Sequence, residues 1–204
     1  MNRNLKFLLL APLFMAFQCE SDDDPCGLEQ PEAYIVNVEN TAETYAVNDA
    51  IFINASISSE LVDRCSPENE PELVVDNTLF IDGIFVLKLN NSLVGLNAEV
   101  SQDFEVTYNL GEAFNGDFCL NAIAYLPELS TDNLTYNYRL GISITTPGDY
   151  CIVNAYNNRF NADQENNAQI FDDYNTLGDV IKFSNCGDVY TRNGTDGHYF
   201  FSVE

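Results

Sequence analysis

Residues 50–57 read AIFINASI, and residues 45–49 directly before them read YAVND. Apolar side chains recur at every second position of the first stretch, at Ile51, Ile53, Ala55 and Ile57. Side chains two positions apart lie on the same face of a β-strand, so this pattern predicts a strand with one buried face. The two polar residues directly before the strand, Asn48 and Asp49, are typical of a turn.

Eight further stretches have the composition of strands and are separated by turn residues, the pair Asp82-Gly83 among them. They are residues 33–38, 84–89, 104–108, 118–125, 136–145, 150–156, 180–184 and 198–203. No long stretch keeps a helical period, and only residues 169–177 leave room for one or two helical turns. The sequence therefore predicts an all-β domain of about nine strands over residues 33–204, with polar loops at 67–72, 157–167 and 187–197.

The YAVND sequence and the strand after it resemble the second strand of immunoglobulin-like modules that are common in secreted bacterial proteins. In those modules a V-G-D turn precedes the strand, and here Asn48 stands in place of the glycine. Asparagine adopts left-handed backbone angles more readily than most residues, so the replacement is compatible with the same turn. The resemblance implies an immunoglobulin-like β-sandwich.

The first residues of the chain carry a separate signal. Arg3 and Lys6 are followed by the apolar run FLLLAPLFMAF at residues 7–17. A helix needs about 20 apolar residues to span a bilayer, and this run is much shorter. A basic start followed by a short apolar run predicts a signal peptide, here over residues 1–18.

Cys19 and the acidic residues after it resemble the processing site of bacterial lipoproteins, in which a cysteine carries the lipid. The stretch Ser21, Asp22, Asp23 and Asp24 resembles the surface-export signal of lipoproteins from Bacteroidota. The resemblance covers residues 1–24. It implies a lipid anchor with chains such as palmitate at Cys19, an acidic tether over residues 19–32, and attachment to outer-membrane lipid on the cell exterior.

Charge narrows the range of partners. The chain has 8 Lys and Arg against 32 Asp and Glu, a net charge of −24. Nucleic acid and anionic membrane surfaces repel such a chain, so neither is an expected partner. The acidity is explained either by solubility or by binding of cations, and both alternatives stay open.

The turn sequence TPGD at residues 146–149 favours pairing of strands 136–145 and 150–156. Strand 118–125 is expected to return to the other edge of 136–145. Strands 118–125 and 150–156 would then lie two spacings apart, about 9.5 Å. Disulfides rarely join Cα atoms more than about 7 Å apart, so Cys119 should not reach Cys151.

Five cysteines remain once Cys19 is assigned to the lipid. An oxidising compartment permits disulfides, and the expected strand order favours Cys151–Cys186 and Cys26–Cys65. Cys119 would then be unpaired. The spacing of these cysteines does not match a zinc site.

The chain contains no recognisable catalytic motif. His198 is its single histidine and has no nucleophile context around it. A pair of acids could still serve a glycosidase, although no pair stands out. The sequence therefore predicts no enzyme, and it indicates no organic cofactor.

Calcium is the metal that the sequence suits best. The side chains Asn161, Asp163, Glu165, Asn167 and Asp172 have the spacing of oxygen ligands in a calcium-binding loop. A glycine is missing from the middle of this loop and no helices are expected on either side, which argues against a helix–loop–helix site. An irregular calcium site and a solvated loop remain alternatives.

Tyr136 and Tyr138 lie on one face of a predicted strand and alternate with Asn137 and Arg139. Exposed tyrosines could bind a sugar, but packing in the core is the more common role and is favoured here. The preferred function is a non-enzymatic surface module that binds an extracellular ligand or an envelope protein. The alternatives are a β-sandwich hydrolase acting on extracellular polymers and a structural envelope protein.

Overall fold

Strands dominate the computed structural model, which describes residues 28–29, 33–63, 71–73, 81–114, 121–155 and 158–204. For residues 28–29, 61–63 and 71–73 the description covers the backbone alone. The strands are β1 (Leu28–Glu29), β2 (Tyr34–Val38), β3 (Thr44–Tyr45), β4 (Ala50–Ser58), β5 (Glu60–Asp63), β6 (Pro71–Leu73), β7 (Asp82–Leu89), β8 (Ala98–Val100), β9 (Phe104–Leu110), β10 (Glu112–Ala113), β11 (Ile123–Leu126), β12 (Glu128–Leu129), β13 (Thr135–Ile144), β14 (Gly148–Asn154), β15 (Asn158–Phe160), β16 (Val180–Asn185), β17 (Asp188–Asn193) and β18 (Tyr199–Val203). The 3₁₀ helix Ala168–Asp173 lies between β15 and β16.

Two large sheets contain most of these strands. The seven-stranded sheet has the order β10-β11-β7-β14-β18-β3, and β8 also pairs with β7. The six-stranded sheet has the order β12-β13-β4-β2-β15, and β9 also pairs with β13. Most neighbours are antiparallel, but β15 pairs parallel with β2 and β18 pairs parallel with β3. Strands β1, β5 and β6 form a small sheet, and β16 and β17 form a hairpin.

The larger hydrophobic core is shared by both large sheets. The alternating face of β4 contributes Ile51, Ile53, Ala55 and Ile57, as its sequence predicts. Strand β13 pairs with β4 over nine residues, Thr135 to Ser143, and its Tyr136 and Tyr138 are buried in the same core. The preferred role of these two tyrosines, core packing, is therefore confirmed.

A second core covers the opposite face of the seven-stranded sheet. Alternate residues of the central strands point into it, including Phe85, Leu87, Cys151 and Phe200. The hairpin β16–β17 and Phe171 of the 3₁₀ helix pack over this face. Both faces of β7 are therefore covered, and seven of its eight residues are buried.

The prediction of an all-β fold is confirmed. Each of the nine predicted strands overlaps an observed strand, and the helical turn expected within residues 169–177 corresponds to the 3₁₀ helix. The described part contains eighteen strand segments rather than about nine. Several of the additional segments are only two or three residues long, too short to produce an alternating pattern.

Three polar or turn-like stretches form strands where loops or turns were expected. Strand β15 lies in the predicted loop 157–167, and β17 lies in the predicted loop 187–197. The pair Asp82-Gly83 begins β7 instead of forming a turn before it. Hydrogen bonding to neighbouring strands determines that these segments are strands, and their side-chain composition does not show which segments will pair.

The predicted pairing of strands 136–145 and 150–156 is wrong. Strand β13 belongs to the six-stranded sheet and β14 to the seven-stranded sheet, so the turn at 146–149 passes from one sheet to the other. The neighbours of β14 are β7 and β18. The reason is burial: β14 is apolar on both faces, and it lies centrally in the sheet that is covered on both sides.

The turn before β4 has the backbone that its sequence predicts. Asn48 has a φ of 68°, in the left-handed region. The Asp49 N–H donates to the carbonyl of Ala46 at 3.0 Å, and the Ala46 N–H donates to the Asp49 carboxylate at 3.1 Å. The expectation that Asn48 takes the place of a turn glycine is therefore confirmed.

Candidate functional site

The most unusual polar site in the described part of the chain surrounds Asp82, the only acid among its buried side chains. Asp82 is the first residue of β7 and is 2 % exposed. It pairs across the sheet with Tyr125 of β11. The run of apolar residues that follows in β7 carries the chain directly into the core, and this run holds the carboxyl group away from water.

Neutral hydrogen-bond donors surround the Asp82 carboxylate. The Gly83 N–H donates to Oδ1 at 2.6 Å, and the Tyr125 hydroxyl donates to Oδ2 at 3.2 Å. The Asn158 Nδ2 group lies 3.2 Å from Oδ1 and 3.1 Å from Oδ2. The same Nδ2 group also donates to the carbonyl of Gly83 at 3.1 Å.

The hydrogen bonds of this site connect the two large sheets. Asp82 and Tyr125 belong to the seven-stranded sheet, whereas Asn158 lies on β15 and Tyr34 on β2 of the six-stranded sheet. The hydroxyls of Tyr34 and Tyr125 are 3.4 Å apart, and either can donate. Asn158 Nδ2 lies 3.5 Å from the Tyr34 hydroxyl. We call these four residues, together with Tyr138, the Asp82 cluster.

Two buried polar atoms of the cluster have no hydrogen-bond partner within the described residues, Oδ1 of Asn158 and Oη of Tyr138. The rings of Tyr138 and Tyr125 are 4.4 Å apart between centroids. Each of these two tyrosines affects the pKa of the other: Tyr138 raises that of Tyr125, and Tyr125 lowers that of Tyr138. Buried polar groups are rarely left unpartnered in proteins, so these two atoms set this cluster apart from the rest of the core.

Burial raises the pKa of Asp82 to about 7, against the lowering effect of hydrogen bonds from Asn158, Gly83 and Tyr125. Burial also raises the pKa values of Tyr125 and Tyr138 well above their ordinary value, and the negative charge of Asp82 adds to both effects. No cation is among the groups that act on the pKa of Asp82. The cluster can hold a proton near neutral pH, but it does not present its carboxyl group to a dissolved substrate.

Several predicted site residues lie outside the described residues. These are the lipid-carrying Cys19, the export stretch Ser21, Asp22, Asp23 and Asp24, and the cysteines Cys26, Cys65 and Cys119. The expected anchor, the export signal and the Cys26–Cys65 disulfide therefore stay predictions.

The predicted Cys151–Cys186 disulfide is wrong. Cys151 is a free thiol that is fully buried in the second core. Cys186 is disulfide-bonded and lies at the exposed turn between β16 and β17. The alternation along β14 directs Cys151 into the second core, where it packs among apolar side chains such as Leu87, Phe183 and Phe200.

The five calcium candidates lie along the segment that follows β15. Three of them are exposed, Asp163, Glu165 and Asp172. Asn161 is partly buried, and its side chain forms hydrogen bonds with other residues of the protein. The Asn161 Nδ2 group donates to Asn37, and its Oδ1 accepts from the Asp163 N–H at 3.0 Å. No group of three or more His, Cys, Asp or Glu side chains that could hold a metal ion occurs in the part of the chain described. Calcium binding here stays a prediction, as does the role of Asn167 and Asp172.

Gln164 has a role that the sequence did not reveal. Its side chain accepts from the Val38 N–H at 2.8 Å and donates to the Val38 carbonyl at 2.7 Å. These two hydrogen bonds hold the segment after β15, residues 161–167, against the end of β2. The segment is therefore docked on the sheet by an amide side chain, a function that composition alone does not indicate.

His198 is buried and offers no free catalytic face. Burial is the main cause that lowers the pKa of His198 to about 4, and the positive charge of Arg192 is the second. Its Nδ1 atom is buried without a partner among the described residues. A neutral, enclosed imidazole is consistent with a structural position at the start of β18.

The outer face of the six-stranded sheet carries an ordered ion pair. Arg139 donates two hydrogen bonds of 2.7 Å to the carboxylate of Glu39, and Asn54 donates to the same carboxylate at 2.9 Å. The Arg139 guanidinium lies 4.2 Å from the ring centre of Phe52. The arrangement positions a cation and an aromatic ring on a partly exposed, otherwise polar surface.

No protein-family model matches the chain, and neither the curated proteins nor the solved structures contain a detectable match. Within the residues that the structure describes, no helix is long and apolar enough to cross a membrane.

Proposed function

We propose that this chain is an exported lipoprotein, anchored to an outer membrane through Cys19 and exposed to the cell exterior. The observation that carries this proposal is the order of features in residues 1–24: two basic residues, a short apolar run, Cys19 and then an acidic stretch. Export to an oxidising compartment agrees with a disulfide at Cys186.

We further propose that residues 33–204 form an immunoglobulin-like β-sandwich. Two large sheets that share one core support this assignment, as does the left-handed Asn48 turn before β4. The hairpin β16–β17 and the 3₁₀ helix would be additions on the outer face of one sheet.

The role that we propose for this domain is non-enzymatic, as a binding or accessory module for an extracellular ligand or an envelope protein. A hydrolase requires carboxylates that meet a substrate, whereas Asp82 is 2 % exposed and the groups that act on its pKa are neutral. The partly exposed face around Arg139 and Phe52 is a surface through which such a module could bind. A hydrolytic activity that disappears in Asp82→Asn would contradict this proposal.

The anchor is tested by replacing Cys19 with serine in cells that are fed labelled palmitate. Cys19→Ser should lose the label and leave the membrane fraction, because it lacks the acyl chains. Each buried CH₂ group of such a chain contributes about 0.8 kcal/mol to the free energy of membrane binding. Cys26→Ser is the matched control, since it removes a nearby cysteine and should keep the label.

The export stretch is the second arm of this experiment. Replacing residues 21–24 with alanine should keep the label but protect the protein from protease added to intact cells. A Cys19→Ser protein that stays in the membrane fraction would contradict the lipoprotein assignment. Unchanged protease digestion of the alanine variant would mean that the acidic stretch is a tether without an export role.

A further inference from the structure

The Asp82 cluster joins the short edge strand β15 of the six-stranded sheet to the centre of the protein. Edge strand β15 has three residues, and its pairing with β2 covers only Asn158, Arg159 and Phe160. Its backbone has two further contacts, from Asn154 Nδ2 to the Asn158 carbonyl at 2.7 Å and from the Phe160 N–H to the Gly197 carbonyl at 3.1 Å. The hydrogen bonds of Asn158 to Asp82 and Gly83 and the buried side chain of Phe160 therefore fix this edge together.

The cluster can accept a proton without moving its heavy atoms. When Asp82 is ionised, the Tyr125 hydroxyl donates to its Oδ2. When Asp82 is protonated, the carboxyl can donate to the Tyr125 oxygen while the Tyr125 hydroxyl turns towards Tyr34, 3.4 Å away. The line of hydroxyls thus reverses its direction, and the hydrogen bonds between the sheets are kept.

The ionised carboxyl, in contrast, is a buried charge without a counter-ion. The groups that face it are Tyr125 from β11, Tyr138 from β13, Tyr34 from β2 and Asn158 from β15, and all are neutral. No cation acts on the pKa of Asp82, and two arginines of neighbouring elements have other contacts: Arg159 packs along Gly197, and Arg192 donates to the carbonyl of Asn154. Contact with water stabilises a buried charge of this kind, so ionisation favours an open state in which water reaches the carboxylate.

We propose that Asp82 is a proton-controlled latch, which holds β15 against β7 while its carboxyl is protonated and releases this edge when the proton is lost. The pKa of about 7 places the release near neutral pH. This proposal concerns the folded domain and does not depend on the lipid anchor or on the function proposed above.

The direction of the pH effect follows from proton binding. In the open state Asp82 would have an ordinary pKa near 3.9, and in the closed state its pKa is about 7. Between these two values the closed state binds one more proton, so opening becomes about tenfold more favourable for each unit by which the pH rises. The closed state is fully favoured below about pH 4, and the effect levels off above about pH 7.

The test is hydrogen exchange of the backbone amides at residues 158–160, measured on the full chain in a non-ionic detergent and corrected for intrinsic exchange. From pH 5 to pH 7 the opening constant should rise about fiftyfold in the wild type, because half of the closed molecules are already ionised at pH 7. Asp82→Asn should show no such rise, because it cannot ionise. Asp188→Asn, which neutralises an exposed acid at the β16–β17 turn, should behave like the wild type.

A direct titration of the wild type covers the case in which Asp82→Asn fails to fold. With ¹³C-labelled aspartate, one carboxyl should titrate near pH 7, whereas ordinary aspartates titrate near 3.9. Two results would overturn the latch: no carboxyl that titrates above about pH 5, or the same pH slope of exchange in the wild type and in Asp82→Asn.

Discussion

Among the described residues, the free cysteine Cys151 shows how the position of a residue on a strand determines the reactivity of its side chain. In the sheet, Cys151 lies opposite Leu87 of β7 on one side and Phe200 of β18 on the other. Its side chain points into the second core. Burial raises the pKa of the Cys151 thiol well above its ordinary value. Because the thiolate is the reactive form, Cys151 behaves as a small apolar residue in the native protein.

We therefore expect the native protein to protect Cys151 from iodoacetamide at pH 8. The same thiol should react completely in denaturant, because unfolding exposes it and restores an ordinary pKa. Non-reducing peptide mapping should then find Cys151 alkylated and Cys186 in a disulfide. A peptide that joins these two cysteines, or rapid alkylation of native Cys151, would refute the assignment.

Asn48 and Asp82 mark how far single residues could be interpreted from the sequence. The left-handed turn at Asn48 was predictable because it depends on local backbone preference, and the structure has it. At Asp82 the sequence predicts a turn, because an Asp-Gly pair is most often found in turns. Its burial depends on Asn158 and Tyr125, which are distant in the sequence, so no local pattern could indicate it.

At the scale of strands, alternation predicted which segments form β-structure but not which strands are neighbours. The TPGD turn favoured a hairpin, yet β13 and β14 enter different sheets. The sequence does contain a usable signal: residues 84–87, 150–153 and 199–201 are consecutive apolar residues, which is typical of strands covered on both faces. That signal places these three strands together at the centre of one sheet.

A pair of buried hydroxyls fixes the short strand β3 at the edge of the seven-stranded sheet. The hydroxyls of Tyr45 and Tyr199 are 2.8 Å apart, and Tyr45 also donates to the Asn40 carbonyl at 2.8 Å. The Ala42 N–H donates to both hydroxyl oxygens at 3.1 Å. Burial, followed by the bond to Tyr199, raises the pKa of Tyr45. The pair thus joins the turn before β3 to β18.

Tyr45→Phe should lower the free energy of unfolding by about 1–3 kcal/mol, because buried partners are left without a hydrogen bond. Tyr108→Phe is the matched control: this tyrosine is half-buried on β9, and burial alone raises its pKa. Its effect on the free energy of unfolding should be small. The measurement is urea unfolding, and equal losses in both variants would show that the hydroxyl pair contributes nothing special.

For the whole molecule, the largest electrostatic effect is repulsion among like charges. The chain has a net charge of −24. The ordered ion pair Arg139–Glu39 is about one-third exposed on both sides, so water and salt screen it and it contributes little to stability. Many of the remaining acids, such as Asp163 and Asp188, are exposed to water. Repulsion should therefore outweigh attraction between surface charges.

This balance predicts that salt stabilises the protein. Raising NaCl from about 0.01 M to 0.15 M shortens the screening length from about 30 Å to 8 Å, which weakens repulsion across the whole surface. We expect a gain of about 1 kcal/mol, or about 2–4 °C in Tm for a domain of this size. The Asp188→Asn variant should begin with a higher Tm at low salt and gain less from added NaCl, because one repelling charge has been removed. Thermal unfolding followed by circular dichroism measures both shifts, and a Tm that falls as NaCl rises would mean that surface ion pairs outweigh the repulsion.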